Sequence, residues 1–465
     1  MSSMGTVETQ EIFGTDGIRG KALEGWLSVQ AVEALGRAAG AVLGPGSGHA
    51  AEALIAHDGR ASAKPLEEAL GRGLRASGVI ARTAGLLPTP GLAWLTATED
   101  VSLGVMISAS HNPAEDNGIK LFAGGGSKLT DAQQAEIEMR LREEMERVSP
   151  GGEVAEELQH DDHLEDLYAE HLIALAKSGE ALDLAGTKVV IDCANGAASH
   201  VGPRVLKAIG AEVTTLYGDP NGTNINDGCG STYPEPLQER VKSSGADFGV
   251  ALDGDADRCL LVDENGALVD GDAIMAILAR DAAERGLWDD PRIVATVMSN
   301  RGLHRALEPV GVSVVEVGVG DRQVVEGLRE HGLHLGGEKS GHIIFGADSG
   351  FIGDGLLTAL HVLSVRARTG KTLSELAAPF VPFPQVLLGL RVASKPSLDR
   401  LPLFQEKRRA YEEELGKDGR VNVRYSGTEP KARVMIEGAD AARIQEIADD
   451  LVEALREEIS AQTKA

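Results

Sequence analysis

The chain has 465 residues, 42% of them hydrophobic, and its 71 acidic against 45 basic side chains give a formal charge of -26. That length exceeds what one core organises and predicts about three or four domains. So acidic a surface excludes nucleic acid and anionic membranes as natural partners, since both are bound by basic faces; a phosphorylated small molecule is still acceptable wherever Arg and Lys gather.

Cys193, Cys229 and Cys259 are odd in number and widely spaced, which fits a reducing cytosol and offers no disulfide framework or zinc spacing. The opening MSSMGTVETQ lacks the basic and then apolar pattern of a secretory leader. No run reaches the ~18 apolar residues of a membrane helix. A cytoplasmic protein is expected.

In chain order, Val32, Leu35, Ala39 and Val42 recur at helical spacing. The stretch GVMISASHNPAEDNGIKLF (104–122) then runs from apolar Val105, Met106 and Ile107 into Ser108, Ala109, Ser110, His111, Asn112 and Pro113. Asn, Pro, Asp and Gly are ordinary turn residues, so a surface turn is one reading. The other is a loop presenting a nucleophilic hydroxyl, with Ser110 first and Ser108 second. Thr130 and Gln133 form a capping box ahead of Ile137, Leu141 and Met145 on one helix face. Residues 149–163, SPGGEVAEELQHDDH, are led by Gly and Pro and then acidic, as suits a linker.

KVVID (188–192), FGVAL (248–252) and RIVATVM (292–298) are near-continuous apolar runs, expected of strands covered on both faces of a parallel sheet. Helices predicted at 201–209 and 273–285 lie between them, and the alternation reads as α/β. PFVPFP (379–384) ends that pattern with three prolines. Beyond it QVLLGLRV reads as a strand, Val421 and Val423 alternate, as do Val434 and Ile436, and Ile444, Ile447, Leu451, Leu455 and Ile459 share one face of a last helix. The predicted architecture is α/β, with three related α/β domains (1–163, 164–268, 269–383) and a C-terminal α+β domain (384–465).

Three further loops carry chemistry. DGDADR (253–258) brings Asp253, Asp255 and Asp257 into one turn, a self-repelling cluster unless a cation relieves it, and so predicts a hard divalent ion such as magnesium. An EF-hand is ruled out because Arg258 stands at the sixth position, where glycine is needed, and Leu260 and Leu261 follow. In GGEKSGH (336–342), Gly336, Gly337 and Gly341 allow close backbone approach to a ligand, while Glu338, Ser340 and His342 offer groups for sugar hydroxyls or an amine. RYSGTEPKAR (424–433) sets Arg424 and Arg433 around Ser426, Gly427 and Thr428, a phosphate cradle of guanidinium forks, hydroxyls and backbone amides. A nucleophile, a metal site, a polyol clamp and a phosphate anchor exceed the needs of a hydrolase. They suit a mutase that holds a phosphosugar in two orientations.

The four loops, with FGTDGIRG (13–20), ISASHNP (107–113), DNGIKLF (116–122), VGDR (319–322) and SGTEPKARVMIE (426–437), resemble the α-D-phosphohexomutase family over nearly the whole chain, its bacterial amino-sugar branch most. The resemblance implies four domains around a central active-site cleft, with a C-terminal domain that can rotate. It implies that Ser110 carries a phosphoryl group and that one magnesium ion binds Ser110, Asp253, Asp255 and Asp257. Arg19, Lys120 and His342 would then lie near the reacting hydroxyl with Arg258 close by, Glu338 and Ser340 would grip the sugar, and the loop from Arg424 to Thr428 would hold the distal phosphate. A hexosamine or glucose 1,6-bisphosphate is the implied activator, and a monomer or homodimer the expected assembly. Two departures bear on this. Ala256 replaces the usual glycine, a change that fits unless the position needs positive φ. Lys339 stands where an amide is more usual, and a cation there would oppose an ammonium-bearing sugar. Glucose and mannose phosphates stay open as substrates, as do a phosphoserine phosphatase and a non-catalytic sugar-phosphate sensor.

Overall fold

The computed structural model describes residues 12–14, 16–44, 51–147, 158–178, 182–426 and 430–464. The first sheet has six strands, ordered Ile18–Lys21, Asp116–Ala123, Leu103–Ile107, Glu52–His57, Ile80–Leu86 and Gln159–His160. Its centre is parallel, and Asp116–Ala123 and Ile18–Lys21 add antiparallel. The helix read from Val32, Leu35, Ala39 and Val42 spans Val29–Leu43. Both bonds of the predicted capping box form, Thr130 N to Gln133 Oε1 at 2.9 Å and Gln133 N to Thr130 Oγ1 at 3.3 Å, and they start helix Asp131–Arg147.

The linker expected over 149–163 is shorter at its far end. Gln159–His160 pairs in parallel with Ile80–Leu86, and helix His163–Lys177 begins within the acidic stretch. That helix is anchored by Tyr168, fully buried, whose hydroxyl donates to Asp354 Oδ2 at 2.8 Å.

The second sheet runs Leu268–Val269, Cys259–Val262, Phe248–Leu252, Lys188–Asp192, Glu212–Leu216. The third runs Ser313–Val317, Arg292–Thr296, Gly336–Gly337, Ile343–Ile344. Lys188–Asp192 and Phe248–Leu252 form a parallel pair, as their unbroken apolar composition predicts. One apolar core, from Leu54 to Leu373, runs through parts of all three sheets and their helices.

The C-terminal region is built differently. Gln385–Arg391, Lys431–Glu437 and Arg420–Tyr425 make an antiparallel sheet backed by helix Ala441–Lys464, whose Ile444, Ile447, Leu451, Leu455 and Ile459 are all buried in a core of their own. Its contacts to the third sheet's region are polar. Arg420 reaches Glu316 at 3.1 Å and the Ser299 carbonyl, Arg301 N donates to Glu437 Oε1 at 3.0 Å, and Arg305 pairs with Asp418 at 3.2 Å.

Candidate active site

The strand Leu103–Ile107 is buried at every residue, and its polar continuation turns over the carboxyl end of the sheet before Asp116–Ala123 returns antiparallel. Ser110 sits in that turn at φ +53°, a region L-residues seldom occupy, and is 1% exposed. Its Oγ donates to Asp253 Oδ2 at 2.6 Å and lies 3.3 Å from His111 Nδ1. Ser108, the second candidate, is committed elsewhere. Its hydroxyl donates to Asp58 Oδ2 at 2.6 Å and accepts from Ser110 N at 2.8 Å. The idle surface turn is thereby overturned.

Asp253, Asp255 and Asp257 follow strand Phe248–Leu252, are buried, and bring one oxygen each within 4.8 Å of one another. Asp255 Oδ1 and Asp257 Oδ1 are buried and lack a hydrogen-bond partner among the described residues. Orphaned carboxylate oxygens beside Ser110, an all-oxygen donor set, fit a hard divalent cation. Burial, with Asp257 and Asp255 adding to it, pushes Asp253 up to about 8. Burial also opposes ionisation of Asp257, but Lys120 and His342 outweigh it and hold that carboxyl well below the usual range. The turn needs φ +57° at Ala256, so glycine's absence there costs on the order of 1 kcal/mol.

The cluster is less self-repelling than its sequence suggests. Lys120, from strand Asp116–Ala123, places Nζ 2.8 Å from Asp16 Oδ2, 2.8 Å from Asp255 Oδ2 and 3.2 Å from Asp257 Oδ2. Asp16 in turn bonds Arg19 at 3.0 Å and Lys128 at 2.6 Å; burial opposes its ionisation, but Lys120, then Lys128 and Arg19, outweigh it and hold the carboxyl far below the usual range.

Part of this network borders a cavity of about 500 Å³. The first domain contributes Asp16, Arg19 and Ser110 to its wall, the second Asp257 and Arg258, and the third Gly320, Asp321, Glu338 and His342. His342 Nδ1 lies 3.5 Å from Asp257 Oδ1, and Glu338 Oε1 accepts from Gly320 N at 3.1 Å. Burial lowers His111 to about 4, helped by Arg258 and Arg19, which leaves a neutral imidazole beside Ser110.

The other expected residues lie apart. Lys120 is behind the wall, and Ser340 is not on it; its Oγ is buried without a partner among the described residues. Lys339 Nζ is drawn towards Asp270, 4.0 Å away, and does not border the cavity. Arg424 and Arg433 face each other as partners on adjacent strands, and buried Ser426 follows. None of the three borders the cavity, and Gly427 and Thr428 lie outside the described residues. Sequence reasoning missed Asp16, His111 and Asp321, although all three stand inside stretches quoted above.

Profiles described as phosphoglucomutase/phosphomannomutase alpha/beta/alpha domains I, II and III match residues 10–148, 166–266 and 270–383, and that of the C-terminal domain matches 387–454. A phosphoglucosamine mutase of Syntrophotalea carbinolica is 45% identical over 457 residues, covering 98% of this chain and 99% of its own. One from Pelotomaculum thermopropionicum is 48% identical over 448 residues, 96% of this chain and 99% of the relative. Among solved structures, a phosphoglucomutase/phosphomannomutase family protein of Burkholderia thailandensis superposes with a TM-score of 0.78 at 28% identity, covering 97% of this chain and 98% of its own. An Aspergillus fumigatus N-acetylphosphoglucosamine mutase, solved with GlcNAc-6P and magnesium, shares the fold at a TM-score of 0.63 and 20% identity, with 96% of both chains covered. With four consecutive domain profiles matched in order and relatives nearly half identical along almost its whole length, this chain belongs to the phosphoglucomutase/phosphomannomutase family.

Proposed function

We propose that the protein interconverts glucosamine 6-phosphate and glucosamine 1-phosphate, a phosphoglucosamine mutase supplying UDP-N-acetylglucosamine synthesis. The observation that carries the chemistry is Ser110, whose hydroxyl reaches the Asp253 turn at 2.6 Å while its residue borders the cavity. Phosphoglucosamine mutases 45%, 48% and 44% identical to this chain support the choice of sugar.

Phosphorylated Ser110 gives its phosphoryl group to the free hydroxyl of the hexosamine phosphate. The Oγ–P bond breaks as the sugar O–P bond forms, and a base at the wall takes the hydroxyl proton. The bisphosphorylated sugar turns over in the cleft, and its other phosphoryl group returns to Ser110. Arg258 and Arg19 face the transferring group from the wall, so the protein's part is positioning and charge stabilisation. Asp253, Asp255 and Asp257, with Ser110, would hold one magnesium ion, which would supply positive charge against the same group. Glu338 grips the sugar from the cavity wall, and His342, also on that wall, lies near the reacting hydroxyl. Arg424, Ser426, Gly427, Thr428 and Arg433 take the distal phosphate when the C-terminal domain closes. A hexosamine or glucose 1,6-bisphosphate phosphorylates Ser110 at the outset, and the protein works in the cytoplasm as a monomer or homodimer. Among the described residues no helix is long and apolar enough to cross a membrane.

Lys339 no longer argues against an amino sugar, because its ammonium is turned to Asp270. Catalytic efficiencies on glucosamine, glucose and mannose phosphates test the assignment. Equal or better turnover of the neutral sugars would make this a phosphoglucomutase or phosphomannomutase, and phosphate release without isomer would make it a phosphatase.

A further inference from the structure

Behind the nucleophile loop lies one enclosed guanidinium. The Arg60 side chain is 0% exposed and spends all five of its N–H donors. Nε donates to Asp58 Oδ2 at 2.9 Å. Nη1 donates to the Asp116 carbonyl at 2.9 Å and to that of Pro113. Nη2 donates to the Ser110 carbonyl at 3.1 Å and to that of Asn112 at 2.8 Å. From the second domain, Asn226 Nδ2 donates to the same two carbonyls, Ser110 at 2.9 Å and Asn112 at 3.1 Å. Asp58, which holds the guanidinium, also accepts from Ser108, whose oxygen receives Ser110 N. The peptide groups on both sides of Ser110 are therefore tied to one buried ion pair.

We propose that Arg60, oriented by Asp58 and assisted by Asn226, is the positioning residue that fixes the Ser110 backbone in its left-handed conformation and so aims the nucleophilic oxygen into the cleft. This rests on the reading of Ser110 as phosphoryl carrier and adds what holds it there. A non-glycine residue at φ +53° persists only where its surroundings over-determine it. Here the restraint comes from behind, from groups that do not touch substrate. Phosphoryl transfer depends on alignment, and a displacement of 1 Å costs about a hundredfold in rate. The loop must also return to one position for each of two sugar hydroxyls, which a fork bonded to four carbonyls within seven residues enforces. A lysine keeps the charge opposite Asp58 but has three donors for five acceptors.

The test uses the full chain with magnesium and a sugar 1,6-bisphosphate. Arg60→Lys is expected to lower kcat by about a hundredfold while KM for the sugar phosphate moves less than about threefold. The same variant slows phosphorylation of Ser110 by the bisphosphate, followed as intact mass, to a similar extent. Asn226→Ala leaves the Asp58–Arg60 pair in place and removes two of the loop's bonds, so it lowers kcat about tenfold with KM again nearly unchanged. If Arg60→Lys does not fold, the Asn226→Ala split between kcat and KM decides. Wild-type kcat per folded molecule in both variants, or a loss confined to KM or to melting temperature, overturns the proposal. Wild-type protein without isomer formation or Ser110 phosphorylation would instead overturn the function on which it rests.

Discussion

Lys120 Nζ and Asp255 Oδ2 meet at 2.8 Å across the boundary of the first two domains, with 4% and 0% of their side chains exposed. Bare carboxylates crowded in one turn repel, and removing one would relieve the protein. With a buried ammonium among them, removal takes away attraction. Asp255→Asn is therefore expected to lower the stability of the metal-free protein by about 1–3 kcal/mol, short of the loss of a whole buried pair because Asp16 and Asp257 still hold Lys120. It should also raise the magnesium concentration needed for half activity by at least about tenfold. Urea unfolding in chelator and a magnesium titration of activity check both; a variant more stable than wild type would mean that repulsion dominates.

Ser110→Ala removes the phosphoryl carrier and one hydrogen bond to Asp253. Turnover should vanish, and the intact mass should no longer gain a phosphoryl group on incubation with a sugar bisphosphate. Stability should change by only about 1 kcal/mol. Substantial activity in this variant would remove Ser110 from the mechanism, and Ser108, tied to Asp58, could not replace it without rebuilding the loop.

Asp272 does not border the cavity, yet its burial predicts a pH dependence. Burial, with Asp270 adding to it, lifts its carboxyl from 3.8 to about 7, only partly offset by the bond from Asn300 N at 2.8 Å. The fold thus prefers the protonated form. That contribution is complete below about pH 4, declines as pH rises through 7 and is gone above about pH 8. Burial lifts Asp192 and Asp354 to about 6 in the same sense. Melting temperature should fall from pH 5 to pH 8, and Asp272→Asn should flatten the upper part of that fall. An unchanged slope in the variant would assign the dependence elsewhere.

Arg424→Ala tests whether the C-terminal loop only anchors substrate or also retains the intermediate. If closure aligns the sugar, kcat falls along with affinity, and free hexosamine bisphosphate appears in solution. A higher KM with unchanged turnover and no released bisphosphate would reduce the loop to an anchor.

Chemistry written within one short segment was legible in the sequence. Asp253, Asp255 and Asp257 share a turn, and Ser110 stands at the mouth of a strand whose apolar run announces it. What holds these groups came from afar and was not legible. Arg60 and Asp116 are 56 residues apart, Lys120 and Asp255 135, and no local pattern marks such pairs. The glycines of GGEKSGH show the converse error. Gly341 was expected to admit a ligand, but its φ is +91° and a Cβ there would lie 2.2 Å from the Cys259 carbonyl, so its bareness serves strand packing. Helix Pro402–Leu415 escaped notice because Phe404 alone among its residues is buried, which leaves no apolar period to read.

The seam between the C-terminal domain and its neighbour has a built-in tear line. Arg420 and Glu437 are partners on adjacent strands of the same sheet and pair at 2.8 Å, so they travel together. Separation instead breaks the bonds to Glu316, the Ser299 carbonyl and Arg301 N, all on the other side. Each of these polar groups can be rehydrated as it parts, and none of these breaks exposes greasy surface. Ions in solution weaken the charge pairs of such a joint. Ionic strength thereby becomes a dial on how firmly this seam holds, set apart from the chemistry of the cavity.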